Sequence, residues 1–367
     1  MLARALCDPG APPPVPGIDA ARLVAAAVRH RVLLPAGWLL RDAGTLSGWP
    51  TEFGRAFQHR ERDGVAVDCL RHAELGGVLE AMKAAGLRVV LFKGAALAHT
   101  HYPAPHVRPR ADTDLLAAAP DVPAVERILA RFGYRRQTET SGRLVSYQSH
   151  YDKVDRYGVG HAFDVHWKIS NLQALADRLS HEEIWSGRVP LAAFGGSACA
   201  AGDAHALLLA LVHRAGHHAG SRNLLWIYDV HLLATRLSGD RMTQVRELAT
   251  ARGLNRLAAD GLALARETFA TTFATPVIEE LRAARPGRPQ AIVDDVPSTQ
   301  AHVLRLDLDA LPTWRARAGL LREHVLPSPA YIRARYGVHS SLALPALYIW
   351  RVLAGAPKWL RRRPVDN

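Results

Sequence analysis

The feature that most constrains the fold of this chain is a change in hydrophobic period at Gly86. Before it, apolar residues recur at helical spacing from Ile18 onward, most clearly in HAELGGVLEAMKAAG. After it, LRVVLFKG is a short apolar run that ends in glycine, the pattern of a buried strand entering a tight turn. The segment ADTDLLAAA predicts a second strand. The chain therefore predicts N-terminal helices followed by a small sheet.

The pattern beyond the second strand predicts one helix, a hairpin and a long helical region. VPAVERILARFGY has helical spacing, and Gly133 ends it. RLVSYQSHYDKV and HAFDVHWKI, with the turn residues RYGVG between them, have the composition of an antiparallel hairpin. From Asp203, a candidate N-cap, nearly all residues follow the helical period. We therefore expect an α+β fold, a small sheet flanked by N-terminal helices and a larger C-terminal helical lobe.

These changes of pattern divide the chain into four parts. Residues 1–17 lack a sustained apolar core and break into prolines, which predicts a flexible lead rather than a signal peptide. Residues 18–86 are expected to be helices that pack on the core, and 87–200 the α/β core itself. Residues 201–367 are expected to form the helical domain.

The composition of the chain indicates which kinds of partner and which cellular compartment to expect. A hydrophobic share of 49% with 22% charged residues is typical of a globular protein rather than a disordered one. The net charge of +12 suggests an anionic partner such as phosphate, nucleic acid or acidic lipid, although arginine is abundant throughout the chain and gives the same excess without any such partner. Three scattered cysteines match no metal or disulfide spacing, so a cytoplasmic location is expected.

Membrane insertion is not expected, because no run reaches the roughly 18 apolar residues that span a bilayer. The nearest candidate, LALPALYIWRVLAGAPKWL, is interrupted by Pro345 and Arg351. This segment either packs on the body as a terminal helix or lies on a membrane surface.

Two aspartates one residue apart, Asp112 and Asp114, begin the second predicted strand. On a strand such a pair points to one face, with Cα atoms about 6.5 to 7 Å apart. Close carboxylates repel unless a cation lies between them, and Mg²⁺ takes such oxygen ligands together with phosphate oxygens. A second copy of the pattern, Asp307 and Asp309, stands in a helical setting without a glycine turn or a basic loop, and we interpret it as a solvated helix-end feature.

A third acid lies on a later predicted strand. In AFDVHWKI, alternation places Asp164 and His166 on the face opposite Phe163, Val165 and Trp167. Either this polar face meets solvent, or Asp164 joins the aspartate pair from a neighbouring strand. Three gathered carboxylates can bind two metal ions about 3.5 to 4 Å apart, the arrangement used in phosphoryl chemistry.

The segments LFKGAALAHTHYP, RPRADTDLL and FDVHW, in that order, resemble the uncharacterised nucleotidyltransferase family within the DNA polymerase β-like superfamily. Three later segments, DAHALLLALVHRAGHH, LLWIYDVHLLA and VLPSPAYIRARYG, are similar to helical segments of that family, so the resemblance extends over most of the chain from about Leu70. The resemblance implies a mixed sheet with three metal-binding carboxylates. It also implies adenylyl or other nucleotidyl transfer from an NTP to an acceptor that the resemblance does not identify, be it a small molecule, a peptide, a protein or RNA.

Specific roles follow from the resemblance. Asp112 and Asp114 would hold two Mg²⁺ ions, and Asp164 would ligate the catalytic ion and help to deprotonate the acceptor hydroxyl. Lys93 and Gly94 would occupy the turn that cradles the terminal phosphates of the nucleotide. The chain departs from the superfamily pattern at this turn. Ala95 stands at the position of the usual second small or hydroxyl residue after the glycine, and a lysine precedes the glycine. The phosphate grip would therefore rest on Lys93 and on backbone amides.

Other polar residues have two interpretations each. Arg108 and Arg110 either reach the phosphates or are surface arginines of an arginine-rich chain. His166 either orients a carboxylate or contacts substrate, and Asp229 either faces the cleft from the helical lobe or forms a buried salt bridge.

Three functions stay open at this stage. The first is a Mg²⁺-dependent nucleotidyltransferase. The second is an inactive relative of that fold that binds a nucleotide or a protein partner, and the third is a basic nucleic-acid-binding protein.

Overall fold

The first part of the computed structural model is helical. The model describes residues 1–12, 17–137, 142–217, 221–291, 299–338 and 340–360. The N-terminal helices are α1 (Leu2–Cys7), α2 (Ala20–Arg29), α3 (Leu33–Asp42) and α4 (Thr51–Ala84). Helix α4 is 34 residues long, and its apolar residues near both ends are buried while much of its middle is exposed.

A seven-stranded mixed sheet follows, in the strand order β3-β4-β5-β2-β1-β7-β6. Its strands are β1 (Val89–Leu91), β2 (Thr113–Ala117), β3 (Arg135–Arg136), β4 (Gln148–Val154), β5 (Gly160–His166), β6 (Val189–Pro190) and β7 (Cys199–Ala200). The helices between them are α5 (Lys93–Thr100), α6 (Val122–Arg131), α7 (Gln173–Ala176) and α8 (His181–Ser186). Strand β2 is antiparallel to β1 and parallel to β5, whereas β4 and β5 form a hairpin.

The remaining described chain is helical. Its elements are α9 (Asp203–His217), α10 (Leu224–Thr235), α11 (Gly239–Ala251), α12 (Asn255–Phe269), α13 (Val277–Ala283), α14 (Gln300–Ala310), α15 (Trp314–Val325), α16 (Pro329–Tyr336) and α17 (Leu344–Leu360). The observed order of helices, mixed sheet and helices confirms the α+β prediction.

The sheet carries apolar residues on both faces, and each face has its own core. Leu115, Phe163 and Val165 pack with α4 and α6 on one face. Val90 and Leu116 pack on the other face with the N-terminal helices and the C-terminal lobe. Because strand residues alternate between faces, Asp114, two residues before Leu116, projects toward the second core. The acidic residues therefore lie where the sheet meets the helical lobe.

Two details differ from the sequence expectations. Residues 2–7 of the predicted flexible lead form α1, with Leu2, Ala5 and Leu6 buried, because this short apolar stripe packs against α3 and α12. Residues 13–16 of that lead lie outside the described residues. Asp307, expected to be solvated, accepts a hydrogen bond from the backbone N–H of Gln173.

The C-terminal helices contact the segment that leads into β4. The Glu323 carboxylate of α15 accepts hydrogen bonds from the backbone N–H groups of Arg143, Leu144 and Val145, at 2.8, 2.8 and 3.1 Å. These bonds satisfy three donors that no strand pairs, so α15 helps to place the start of the β4–β5 hairpin.

Among the described helices, none alone is long and apolar enough to cross a bilayer. The bent pair α2 and α3 meets that test by length and composition only.

Candidate active site

The site begins where β1 ends and α5 starts. Lys93 is the first residue of α5 and has a positive φ of 51°, a conformation that costs a lysine about 1 kcal/mol or more. This backbone brings the lysine side chain back toward the sheet, where its Nζ lies 2.7 Å from Asp114 Oδ1 and over the ring of Phe92. Both members of the Lys93–Asp114 ion pair are more than nine-tenths buried.

Strand register brings the second acid to the first. Parallel pairing of β2 with β5 sets Asp114 beside Asp164, and antiparallel pairing of β5 with β4 sets Asp164 beside His150. Paired residues of adjacent strands project to the same face, so the three side chains form a row across the sheet. Asp112, which precedes β2 by one residue, is displaced from this row along the chain.

His166 completes the surroundings of Asp114. Its Nε2 lies 2.9 Å from Asp114 Oδ1 and 3.3 Å from Lys93 Nζ, so the three groups form a closed triangle. Burial, and then the Lys93 charge, lower the pKa of His166, which keeps its ring neutral at pH 7. His166 thus contacts a carboxylate, the first of the two interpretations of this residue.

Asp114 and Asp112 differ in their proton affinity. Burial alone would raise the pKa of Asp114, but the Lys93 charge and the His166 hydrogen bond outweigh it and hold that pKa far below its usual range. Burial raises the pKa of Asp112, and the charges of Asp114 and Asp164 raise it further. An added cation would therefore offset the repulsion that Asp112 experiences.

Asp164 is held by two polar residues of β4. Its Oδ1 lies 2.6 Å from His150 Nδ1, and its Oδ2 accepts a hydrogen bond from Gln148 Nε2 at 3.1 Å. These two contacts from β4 fix the position of the Asp164 carboxylate.

The site contains ligand atoms suited to a metal ion. One oxygen each of Asp114 and Asp164 and a ring nitrogen of His166 lie within 4.8 Å of one another, and Asp112 is outside this group. The carboxylates fit a hard cation, and Lys93 already supplies a positive charge at Asp114. The residues present therefore fit a divalent cation.

Arg108 and Arg110 are both engaged with carboxylates from helices. Arg108 Nε and Nη2 lie 3.1 and 2.6 Å from the Asp229 oxygens, and Tyr102 also donates to Asp229 at 2.7 Å. Asp229 therefore forms a buried salt bridge, the second interpretation of this residue. Arg110 Nη2 lies 2.5 Å from Asp68 of α4. Phosphate contact by either arginine would require its ion pair to open, and that contact stays a prediction.

Gly94 lies directly under Arg108. A Cβ at this position would lie 2.8 Å from Arg108 Cζ and closer still to Nη1. The glycine therefore allows the buried guanidinium group to cross the start of α5.

Sequence reasoning missed His150, the partner of Asp164. The turn signal was sufficient to find it, because a hairpin that pairs Val154 with Gly160 also pairs His150 with Asp164. The Asp229 partner of Arg108 had no such signal, since 121 residues separate the two.

Comparison with protein families gives one reported match, and comparison with curated proteins gives none. The family model described as uncharacterised nucleotidyltransferase matches residues 16–270. This match begins well before Leu70 and ends before the segment VLPSPAYIRARYG. The region that matches the family therefore lies earlier in the chain than the sequence resemblance suggested. It covers well over half of the chain and includes strands β1 to β7 as well as Asp112, Asp114 and Asp164. The chain belongs to the uncharacterised nucleotidyltransferase family.

Proposed function

We propose that this protein is a magnesium-dependent enzyme that transfers a nucleoside monophosphate from an NTP to a hydroxyl acceptor and releases pyrophosphate. The observation that carries the proposal is the pairing of Asp114 with Asp164 on adjacent strands, beside the turn from which Lys93 projects. Membership of a nucleotidyltransferase family supports the reaction class.

The carboxylates of Asp112, Asp114 and Asp164 would hold the magnesium ions. Bound there, magnesium would neutralise the phosphate oxygens and the charge that develops on them during transfer. His166 is assigned a positioning role, because magnesium prefers oxygen ligands and the imidazole lies against Asp114 Oδ1.

Lys93 and Gly94 would bind the terminal phosphates. Lys93 Nζ, which lies 2.7 Å from Asp114 Oδ1, would bind a phosphate oxygen of an NTP held beside that carboxylate. The backbone N–H groups of the first turn of α5, which begins at Lys93, point toward the same anion.

Asp164 would accept the proton of the acceptor hydroxyl, and His150 would position Asp164. In the proposed step the acceptor oxygen attacks the α-phosphorus in line, the new O–P bond forms, and the bond to the β-phosphate oxygen breaks. The acceptor proton passes to Asp164, whose carboxylate accepts a hydrogen bond from His150 Nδ1 at 2.6 Å and is held in place by it.

The test uses the full chain with α-labelled ATP, the other NTPs, Mg²⁺ and a panel of hydroxyl acceptors. Label transfer and pyrophosphate release are both measured. The wild-type protein should transfer label only with the divalent cation. Asp114→Asn and Asp164→Asn should each lower the rate by at least about 100-fold, since each removes a charge that holds the cation.

Asp309→Asn is the matched control. Asp309 belongs to the second Asp-x-Asp sequence, on α14, and is 67% exposed, so its loss should leave the rate unchanged. Label transfer that survives Asp114→Asn and Asp164→Asn would contradict the assignment. Tight binding of ATP with Mg²⁺ but no turnover with any acceptor would favour the inactive relative of the fold, an outcome that the Ala95 departure leaves open.

A further inference from the structure

A second pocket lies beside the acidic site. It has a volume of about 360 Å³ and is enclosed by α2, α3, α4 and the segment 106–111 that leads into β2. One wall is apolar and includes Leu33, Leu34 and Val67. The polar lining consists mainly of five arginines, together with Asp63, Asp68 and His106. Neither Lys93 nor Gly94 lines this pocket, so it is separate from the turn proposed to bind the NTP phosphates.

Of the five guanidinium groups that line this pocket, those of Arg31, Arg60 and Arg71 have no ion pair with a carboxylate among the described residues, and Arg31 and Arg71 are the two of these that are partly buried. Arg31 donates only to the carbonyl oxygen of Pro109, at 3.3 Å. Arg71 donates only to the carbonyl oxygens of Arg110 and Gly160, at 2.9 and 3.2 Å. By contrast, the Arg108 and Arg110 guanidinium groups, which also line the pocket, are neutralised by Asp229 and Asp68.

Arg31 and Arg71 are cations in an unfavourable setting. Both side chains are half-buried, and both pKa values are lowered, first by burial and then by a neighbouring arginine, Arg108 for Arg31 and Arg110 for Arg71. A partly desolvated guanidinium group that has only neutral acceptors gains from an anion, particularly one that it can bind with two parallel hydrogen bonds.

The pocket adjoins the reacting centre through Asp112. Arg71, Arg110 and Ala111 line both this pocket and the small neighbouring cavity that Asp112 lines. An anionic group held in this pocket would therefore lie near Asp112.

We propose that this pocket binds the acceptor and that the acceptor carries a phosphate or carboxylate group. Arg31 and Arg71 bind the anionic group, and the apolar wall packs against the carbon skeleton next to it. This proposal rests on the proposed function, because it names the acceptor class for the same transfer reaction.

The test is calorimetric titration of the full-length protein with inorganic phosphate and, in a second arm, with acetate. Each titration is done with the protein alone and again with the protein saturated by Mg²⁺ and a non-hydrolysable ATP analogue. At least one of the two anions should bind in both states, and the tighter one identifies the anionic group. Arg31→Gln and Arg71→Gln should each weaken that binding by about tenfold or more, because each removes a charge-assisted pair of hydrogen bonds.

The matched control is Arg22→Gln. Arg22 lies on α2, which also contributes to the pocket lining, but its side chain is 89% exposed, so this substitution should leave anion binding unchanged. Arg31→Lys and Arg71→Lys keep the charge and should retain part of the affinity. Removal of Arg31 or Arg71 relieves repulsion between arginines, so neither glutamine variant should melt below the wild type by more than a few degrees.

Three results would decide the proposal. Anion binding that is unchanged in both glutamine variants would overturn it. Anion binding that disappears when the ATP analogue is present would assign the pocket to the nucleotide and would also overturn it. Arginine-dependent anion binding in a protein that binds no ATP analogue would support the anion pocket and contradict the proposed nucleotide site, so the two proposals fail separately.

Discussion

At the scale of single residues, Gly94 and Arg108 show how closely this site is packed. The Arg108 guanidinium group is buried, and Asp229 binds it at two atoms. Burial alone would lower the pKa of Arg108, but Asp229 outweighs burial and raises that pKa above its ordinary value. The charge is therefore permanent, and its position depends on the absence of a side chain at Gly94.

Gly94→Ala should lower the free energy of unfolding by about 2 to 4 kcal/mol. The added methyl group must displace a guanidinium group that Asp229 and the Pro109 carbonyl oxygen hold in place. Urea denaturation measures the change. Gly54→Ala, at a helical position in α4 where a Cβ meets nothing within 4 Å, should instead raise stability by about 0.5 to 1 kcal/mol. Equal effects of the two substitutions would show that Arg108 is not held as described.

At the scale of elements, the start of α10 connects the helical lobe to the N-terminal helices. The Asn223 Oδ1 caps α10 by accepting from the Leu225 N–H, and its Nδ2 donates to the carbonyl oxygen of Arg29 at the end of α2, both at 3.1 Å. Helix α10 carries Asp229, so this link also helps to place the partner of Arg108.

Asn223→Ala should lower stability by about 2 kcal/mol, because it removes a helix cap and also the hydrogen bond to the Arg29 carbonyl oxygen that joins α10 to α2. Ser238→Ala removes the exposed cap of α11, and its cost should be smaller, about 0.5 to 1 kcal/mol. The difference between the two, measured by denaturant unfolding, reports the link to α2. A cost for Asn223→Ala no larger than that for Ser238→Ala would argue against such a link.

At the scale of the whole molecule, buried histidines should make stability depend on pH. Burial, and then the charge of Arg110, lower the pKa of His99 to about 4, and burial followed by Arg236 lowers that of His101 to about 4. The unfolded chain titrates these groups near pH 6.5, so between about pH 6.5 and 4 it binds more protons than the folded chain does. Stability therefore falls as pH falls through this window, by at most about 3 kcal/mol for each group.

The double substitution His99→Gln and His101→Gln should flatten this part of the stability profile, measured by urea unfolding at pH 6.5 and 4.5. His59→Gln removes a histidine that is 79% exposed and should leave the profile of the parent unchanged. A parent protein that is equally stable at both pH values would contradict the burial argument.

The order of the helices and strands could be predicted from the sequence because it depends on local residue patterns. The change of period at Gly86, the turn before Gly160 and the helical spacing beyond Asp203 each depend on residues within one element or one turn. The short strands β3, β6 and β7 were not predicted. Each has only two residues, too few to show a period, and forms because a neighbouring strand offers unpaired hydrogen-bonding groups.

The sequence by itself determined which residue types are present to do chemistry, namely the acids on two predicted strands and the lysine at a glycine turn. Only the tertiary structure decided which of them meet. It grouped Asp114 with Asp164 and His166, set Asp112 slightly apart, and engaged Arg108 and Arg110 with acids from distant helices. The reason is physical: alternation along a strand is local, whereas the approach of Asp229 to Arg108, or of Arg31 to Asp112, follows from how helices far apart in the chain pack on one sheet.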